Sequence, residues 1–174
     1  MGFFKTKNQP IQHRYLKINR HSCSMLMSLN MIHDIRKIAE RFALSLTSLK
    51  NYLLTLGLQD VNGTEELQEL CSQHHFNQGS DPIGNLPKTR VNFYIHKYLL
   101  PENKVELINN LLKYDHYMDL SKIVRMLINK ALNEIKTVGI DDYFLTMPIE
   151  QFLGLRKKLR KRAGEIDLQR IKVE

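Results

Sequence analysis

A twelve-residue pattern occurs twice in this chain in one register. Ile38-Ala-Glu-Arg-Phe-Ala-Leu44-Ser45-Leu46-Thr47-Ser-Leu49 returns 74 residues later as Leu112-Lys-Tyr-Asp-His-Tyr-Met118-Asp119-Leu120-Ser121-Lys-Ile123. Each copy holds an apolar helix face, a break, a small hydroxyl residue at a cap position, and a second apolar helix. An internal repeat constrains architecture before any single motif does, because each copy is one supersecondary unit. The arrangement predicts one chain carrying two halves of something otherwise built as a dimer.

The second copy is the clearer. Arg90-Val91-Asn92-Phe93-Tyr94-Ile95-His96 alternates strictly, with Val91, Phe93 and Ile95 on one face, the mark of a half-buried strand. Pro101 suits the first turn of a helix whose stripe is Val105, Ile108, Leu111 and Leu112. After Met118-Asp119 a second helix carries Ile123, Val124, Leu127, Ile128, Leu132 and Ile135 and ends near Gly139, with Ser121 as its expected cap and Asp119, just before the helix, as the alternative.

In the first copy, Met25, Leu29, Ile32, Ile35, Ile38, Ala39 and Phe42 fall at helical spacing from Ser24 onward. The chain breaks at Leu44-Ser45 and restarts with Thr47 near the cap, then Leu49, Tyr52, Leu53 and Leu56, stopping at Gly57. Two segments compete for the preceding strand. Tyr15 to Arg20 would turn Tyr15, Lys17 and Asn19 outward, whereas Ser24 to Leu29 would turn out Ser24, Leu26 and Ser28. The former is preferred, since it matches the strand-to-helix spacing of the second copy and supplies polar side chains. The expected organisation is an arm over 1–13, a first unit over 14–58, a linker with a short helix opening at Thr64 over 59–88, a second unit over 89–139, and a basic helical tail over 140–174. In that tail one helix is expected from Pro148 to Ala163.

One amphipathic strand with two short helices cannot bury itself, because its backbone edges stay unpaired. Pairing the two strands as an antiparallel ribbon under four helices solves this and leaves a polar face outward. Such a ribbon fits the major groove of B-DNA. At these residues the chain resembles the ribbon-helix-helix family of DNA-binding transcription regulators (the MetJ/Arc class), over Arg90 to Ile135 and over about Tyr15 to Leu58. The tandem arrangement resembles regulators, repressors among them, encoded by plasmids and archaeal viruses. The resemblance implies a mainly α fold with a short β-ribbon, two such units in one chain plus the C-terminal basic helix. It implies base contacts from Arg90, Asn92 and Tyr94, and from Tyr15, Lys17 and Asn19. Phosphate contacts would come from Ser45, Thr47 and Ser48 at one helix start, and from Ser121 and Lys122 at the other. Double-stranded DNA would be the partner, bound by a homodimer or a cooperative assembly, in the nucleoid or the host cytoplasm.

Charge agrees with a polyanionic partner: the 174 residues carry a net +8, and the densest run is Arg156, Lys157, Lys158, Arg160, Lys161 and Arg162, which would add sequence-independent phosphate contacts. Three other readings compete. In a helix-turn-helix regulator Ser48, Lys50 and Asn51 would lie on a recognition helix. In an antitoxin the segment Phe144 to Leu155 would grip a partner protein. A structural nucleoid protein would discriminate little between DNA sequences. No stretch reaches eighteen uninterrupted apolar residues, so no membrane span is expected. Cys23 and Cys71 form no CxxC pair; Cys71, His74 and His75 cluster on an expected loop or helix end and are read as a solvated polar patch rather than a metal site. Neither a phosphate loop nor a nucleophile motif is present, so neither an enzyme nor a cofactor is expected.

Overall fold

The computed structural model describes residues 16, 22–73, 86–95, 100–116 and 118–156. These are mainly helical with one two-stranded antiparallel sheet. In chain order the elements are β1 (Ser22–Ser28), α1 (Leu29–Arg41), α2 (Leu46–Gly57), α3 (Thr64–Gln73), β2 (Lys88–Tyr94), α4 (Glu102–Tyr114), α5 (Leu120–Val138), α6 (Ile140–Thr146) and α7 (Ile149–Leu155). A strand followed by two helices therefore occurs twice, and the two strands pair with each other inside the one chain.

The strand that pairs with β2 is not drawn from the preferred segment, Tyr15 to Arg20. It is Ser22–Ser28, close to the less favoured of the two segments; Tyr15, Lys17 and Asn19 lie outside the described residues. The physical reason is the alternation within Ser24-Met25-Leu26-Met27: Met25 and Met27 are buried at 1% exposure, while Leu26 faces out. Helical spacing from Met25 masked this, because an apolar residue one strand step away fits both periods. Ser28 then ends the strand and caps α1 in one position, its hydroxyl accepting from the Met31 amide at 3.2 Å. No loop intervenes.

The register sets Ser22 opposite Tyr94, Ser24 opposite Asn92, Leu26 opposite Arg90 and Ser28 opposite Lys88. Under the ribbon, Met25, Met27, Phe93 and Ile95 join Ile35, Leu49, Leu53, Ile108, Ile123 and Leu127 in one core. The helices that cross closest are α2 and α5, where Gly57 lies against the backbone of Leu127.

Both second helices are capped two residues before the hydroxyl positions Thr47 and Ser121, at α5 by the alternative the sequence offered. Ser45, rather than Thr47, caps α2 by accepting from the Ser48 amide at 3.3 Å. Asp119, rather than Ser121, caps α5 by accepting from the Lys122 amide at 2.8 Å. Both cap residues stand at the same place in the repeat, three before the amide they bind, as a capping side chain requires. Pro101 sits just before α4 rather than in its first turn.

The C-terminal part differs most from expectation. Of the helix expected over 148–163, α7 forms Ile149–Leu155 and Arg156 is extended, while 157–163 lie outside the described residues; a further short helix, α6, precedes it, and both fold back on the first strand–helix–helix unit. Gly139, at φ +99, makes the turn out of α5 that side chains resist. Asp141 pairs with Arg41, the Phe144 ring lies 4.8 Å from that of Phe42, and the Tyr143 and Tyr52 hydroxyls are 2.5 Å apart. The chain leaves α7 extended: Leu155 accepts from the Ser45 amide at 2.8 Å, and Arg156 forms a bridge with Leu44.

The connector helix α3 packs on α4 and buries Leu67 and Cys71. Burial, with a smaller contribution from the Asp115 charge, pushes the Cys71 thiol up to about 12. The folded chain thus keeps the proton that an unfolded thiol releases near 9, so this group removes stability as pH rises past 9. In a Cys23→Ser background, Cys71 is expected to resist iodoacetamide at pH 8 until the protein unfolds. Labelling at the rate of a free thiol under native conditions would contradict its place under α4.

Candidate nucleic-acid interface

The outer face of the ribbon is built from alternate positions. On β2 Lys88, Arg90, Asn92 and Tyr94 are all exposed, Tyr94 at 46%; on β1 Leu26 is exposed and Ser24 half-buried. Inward neighbours Met25, Met27 and Phe93 hold the strands on the core, so the outward side chains project from an anchored backbone. Arg90, Asn92 and Tyr94 therefore stand on one face, as the alternation required. His96 lies outside the described residues.

A second helix grips each edge of the ribbon. On the β2 edge, Lys50 of α2 donates from Nζ to the Asn92 carbonyl at 2.8 Å and sits 4.9 Å from the Phe93 ring centre. Burial lowers its pKa from the ordinary lysine value. Asn51, fully buried, donates from Nδ2 to the Tyr94 carbonyl and to the Thr47 carbonyl, both at 2.8 Å. On the β1 edge, Arg125 of α5, 3% exposed, donates from Nη1 to the Leu26 carbonyl at 2.8 Å. The Ser121 hydroxyl accepts from the Leu26 amide at 3.1 Å. Asn51 and Arg125 are separated by the same 74 residues as the repeat and do the same work on opposite edges. Sequence reasoning missed both. A polar residue recurring on the inner face of the second helix was the signal available.

These bonds place the starts of α2 and α5 beside the two edges. Ser45, Thr47 and Ser48 form the first of these helix starts, and Ser121 and Lys122 lie in the second; all five are half-buried. Helix N-termini present unpaired amides and positive dipole ends, so anions are favoured there. Arg156 is exposed and its backbone lies next to Leu44, one residue before the α2 cap. The remaining basic residues, Lys157, Lys158, Arg160, Lys161 and Arg162, lie outside the described residues.

The chain has no detectable match among protein-family models, curated proteins or solved structures.

The two edges are unequal. On the β2 edge a cleft of about 290 Å³ opens between the strand and the α1–α2 pair, lined by Ile35, Leu46 and the cations Arg36, Lys50 and Arg90. On the other side, Asn109 of α4 holds the backbone of Leu16, accepting from its amide at 2.8 Å and donating to its carbonyl at 3.0 Å. Asn109 is the eighth residue of α4, as Arg36 is of α1; Asn109 holds a peptide, whereas Arg36 has no carboxylate partner among the described residues. Among the described residues no group of three or more metal-ligating side chains converges, and His74 and His75 lie outside them. No helix among the described residues is long and apolar enough to cross a membrane.

Proposed function

We propose that this chain is a tandem ribbon-helix-helix regulator that binds double-stranded DNA sequence-specifically, with its ribbon in the major groove and the starts of α2 and α5 on the flanking phosphates. One observation carries the reading: Arg90, Asn92 and Tyr94 share the exposed face of a two-stranded ribbon whose two edges are each tied to a helix N-terminus. Arginine pairs with guanine and asparagine with adenine through two hydrogen bonds each, which gives discrimination between bases. Helix ends and basic side chains supply affinity without sequence preference. With β1 at Ser22–Ser28, the first strand offers Ser24 and Leu26 in place of Tyr15, Lys17 and Asn19.

Burial argues against the helix-turn-helix alternative. Asn51 is fully buried and bonded to β2, and Lys50 is half-buried and bonded to the same strand, so neither is presented on a recognition helix. A partner protein remains a second reading on one specific observation. Phe144 and Leu155 are spent on the chain's own core, yet Leu145, Ile149 and Leu153 are exposed on α6 and α7. Large exposed apolar side chains on neighbouring helices favour protein contact where they form a patch.

The test is selection from random DNA duplexes, comparing wild type with Arg90→Ala/Asn92→Ala. Loss of two bidentate contacts is expected to reduce discrimination by about a hundredfold or more, leaving non-specific affinity largely intact. If the double variant enriches the same sequences with equal discrimination, the ribbon does not read bases. A further variant with the basic run from Arg156 to Arg162 neutralised is expected to bind with a shallower salt dependence, by about 0.9 in the log–log slope for each phosphate that is no longer neutralised.

A further inference from the structure

We infer that a single chain reads an asymmetric, non-palindromic DNA element in a fixed orientation, with Leu26 as an apolar base-contacting residue beside Arg90. This rests on the DNA-binding reading above and goes beyond it by naming the symmetry of the target and one specificity residue.

A ribbon made by two identical strands shows the same side chains twice, and its target repeats about the centre. Here the strands differ. With Ser24 opposite Asn92 at the middle, Leu26 on β1 corresponds to Tyr94 on β2: each gives its carbonyl to the matched residue of the opposite unit, Arg125 or Asn51. One end of the ribbon pairs Leu26 with Arg90, and the other pairs Ser22 with Tyr94. No rotation brings these ends into coincidence.

Leu26 is 38% exposed on an otherwise polar face. Its backbone amide and carbonyl are held by Ser121 and Arg125, so its position is set by α5 rather than by its own packing. In the major groove the apolar feature available to such a side chain is the thymine C5-methyl group. Leu26 and Arg90 thus form one composite reader, for a thymine and a guanine in adjoining positions.

The flanks reinforce the orientation. Beside β2 stand Arg36 and Arg90, neither with a carboxylate partner among the described residues, and Arg156 lies beyond the α2 cap. Beside β1 the corresponding helix starts with a carboxylate, Asp119, 3.9 Å from the Lys122 ammonium, and Arg125 is buried against Leu26. One DNA strand would therefore meet cations that no carboxylate among the described residues balances, and the other a helix end whose charge is balanced.

The full-length chain is to be selected on random duplexes, and the shortest duplex protected by one chain, at one chain per duplex, is then identified. The expected motif lacks twofold symmetry. Each thymine in it is next replaced singly by deoxyuridine, which removes only the methyl group. One replacement is expected to weaken wild-type binding about fourfold, the equivalent of one buried methyl, and to leave Leu26→Ala unaffected. Leu26 is exposed, so its replacement leaves the core intact. A palindromic motif within the one-chain footprint overturns the inference alone, as does a deoxyuridine effect of equal size in Leu26→Ala. Failure to enrich any sequence overturns the DNA-binding reading itself.

Discussion

Gly57→Ala is expected to unfold more readily than wild type, by about 2 kcal/mol, although alanine is the better helix former. In an exposed helix this change stabilises by about 1 kcal/mol. At Gly57, however, an added Cβ would stand 2.4 Å from the Leu127 carbonyl oxygen and 2.9 Å from its carbon. The obstacle is backbone, which cannot rotate away as a side chain would. The two helices would have to part where Leu53, Leu54, Leu127, Ile128 and Ala131 are fully buried, and overpacking of this kind costs about 1–3 kcal/mol. Urea titration of the two proteins checks the sign. A Gly57→Ala protein as stable as wild type would mean that α2 and α5 cross farther apart than described. Because these helices join the two units, the same variant is expected to loosen the ribbon that depends on both.

The second large effect is expected at Arg125. Arg125→Ala should cost about 3 kcal/mol, from an unpaired carbonyl at Leu26 and a cavity in the core. Arg125 is 3% exposed, and its Nη1 holds the β1 edge at 2.8 Å. Lys50→Ala removes the bond to the Asn92 carbonyl at the other edge but should cost much less, since Lys50 is half-exposed and Asn51 still holds Tyr94. Thermal unfolding of both variants tests the contrast: equal losses would show that burial does not separate the two edges. Arg125→Ala should also reduce DNA discrimination at the Leu26 position first, because Ser121 is then the side chain left holding the backbone under Leu26 among the described residues.

Much of this arrangement was legible in the residues. The helix periodicity before and after each break located α1, α2, α4 and α5, and strict alternation located β2, because burial of one face leaves a period in the sequence. The first strand was not legible with the same ease. Four positions around Met25 and Met27 fit a strand and a helix start alike, and the choice depends on whether β2 is there to pair with. The start of α7 was legible, but α6 and the extended Arg156 after α7 were not, because they follow from docking on Phe42, Tyr52 and Ser45, residues about 100 positions earlier. The caps lie two residues before Thr47 and Ser121, and the sequence left Asp119 and Ser121 both open, since Ser121 and Thr47 look as suitable as Asp119 and Ser45 until backbone dihedrals are known.

Patterning alone determined that this chain holds two strand–helix–helix units with a polar strand face bearing Arg90, Asn92 and Tyr94. Periodicity records which side of each element meets a core, and a repeat records that the solution was used twice. Only the tertiary structure decided that the two strands pair within one chain, that Asn51 and Arg125 clamp its edges, and that Leu26 stands opposite Arg90. Those are relations between residues 43 to 99 positions apart. Register and long-range hydrogen bonds depend on how two separately legible elements meet, and no local pattern carries that.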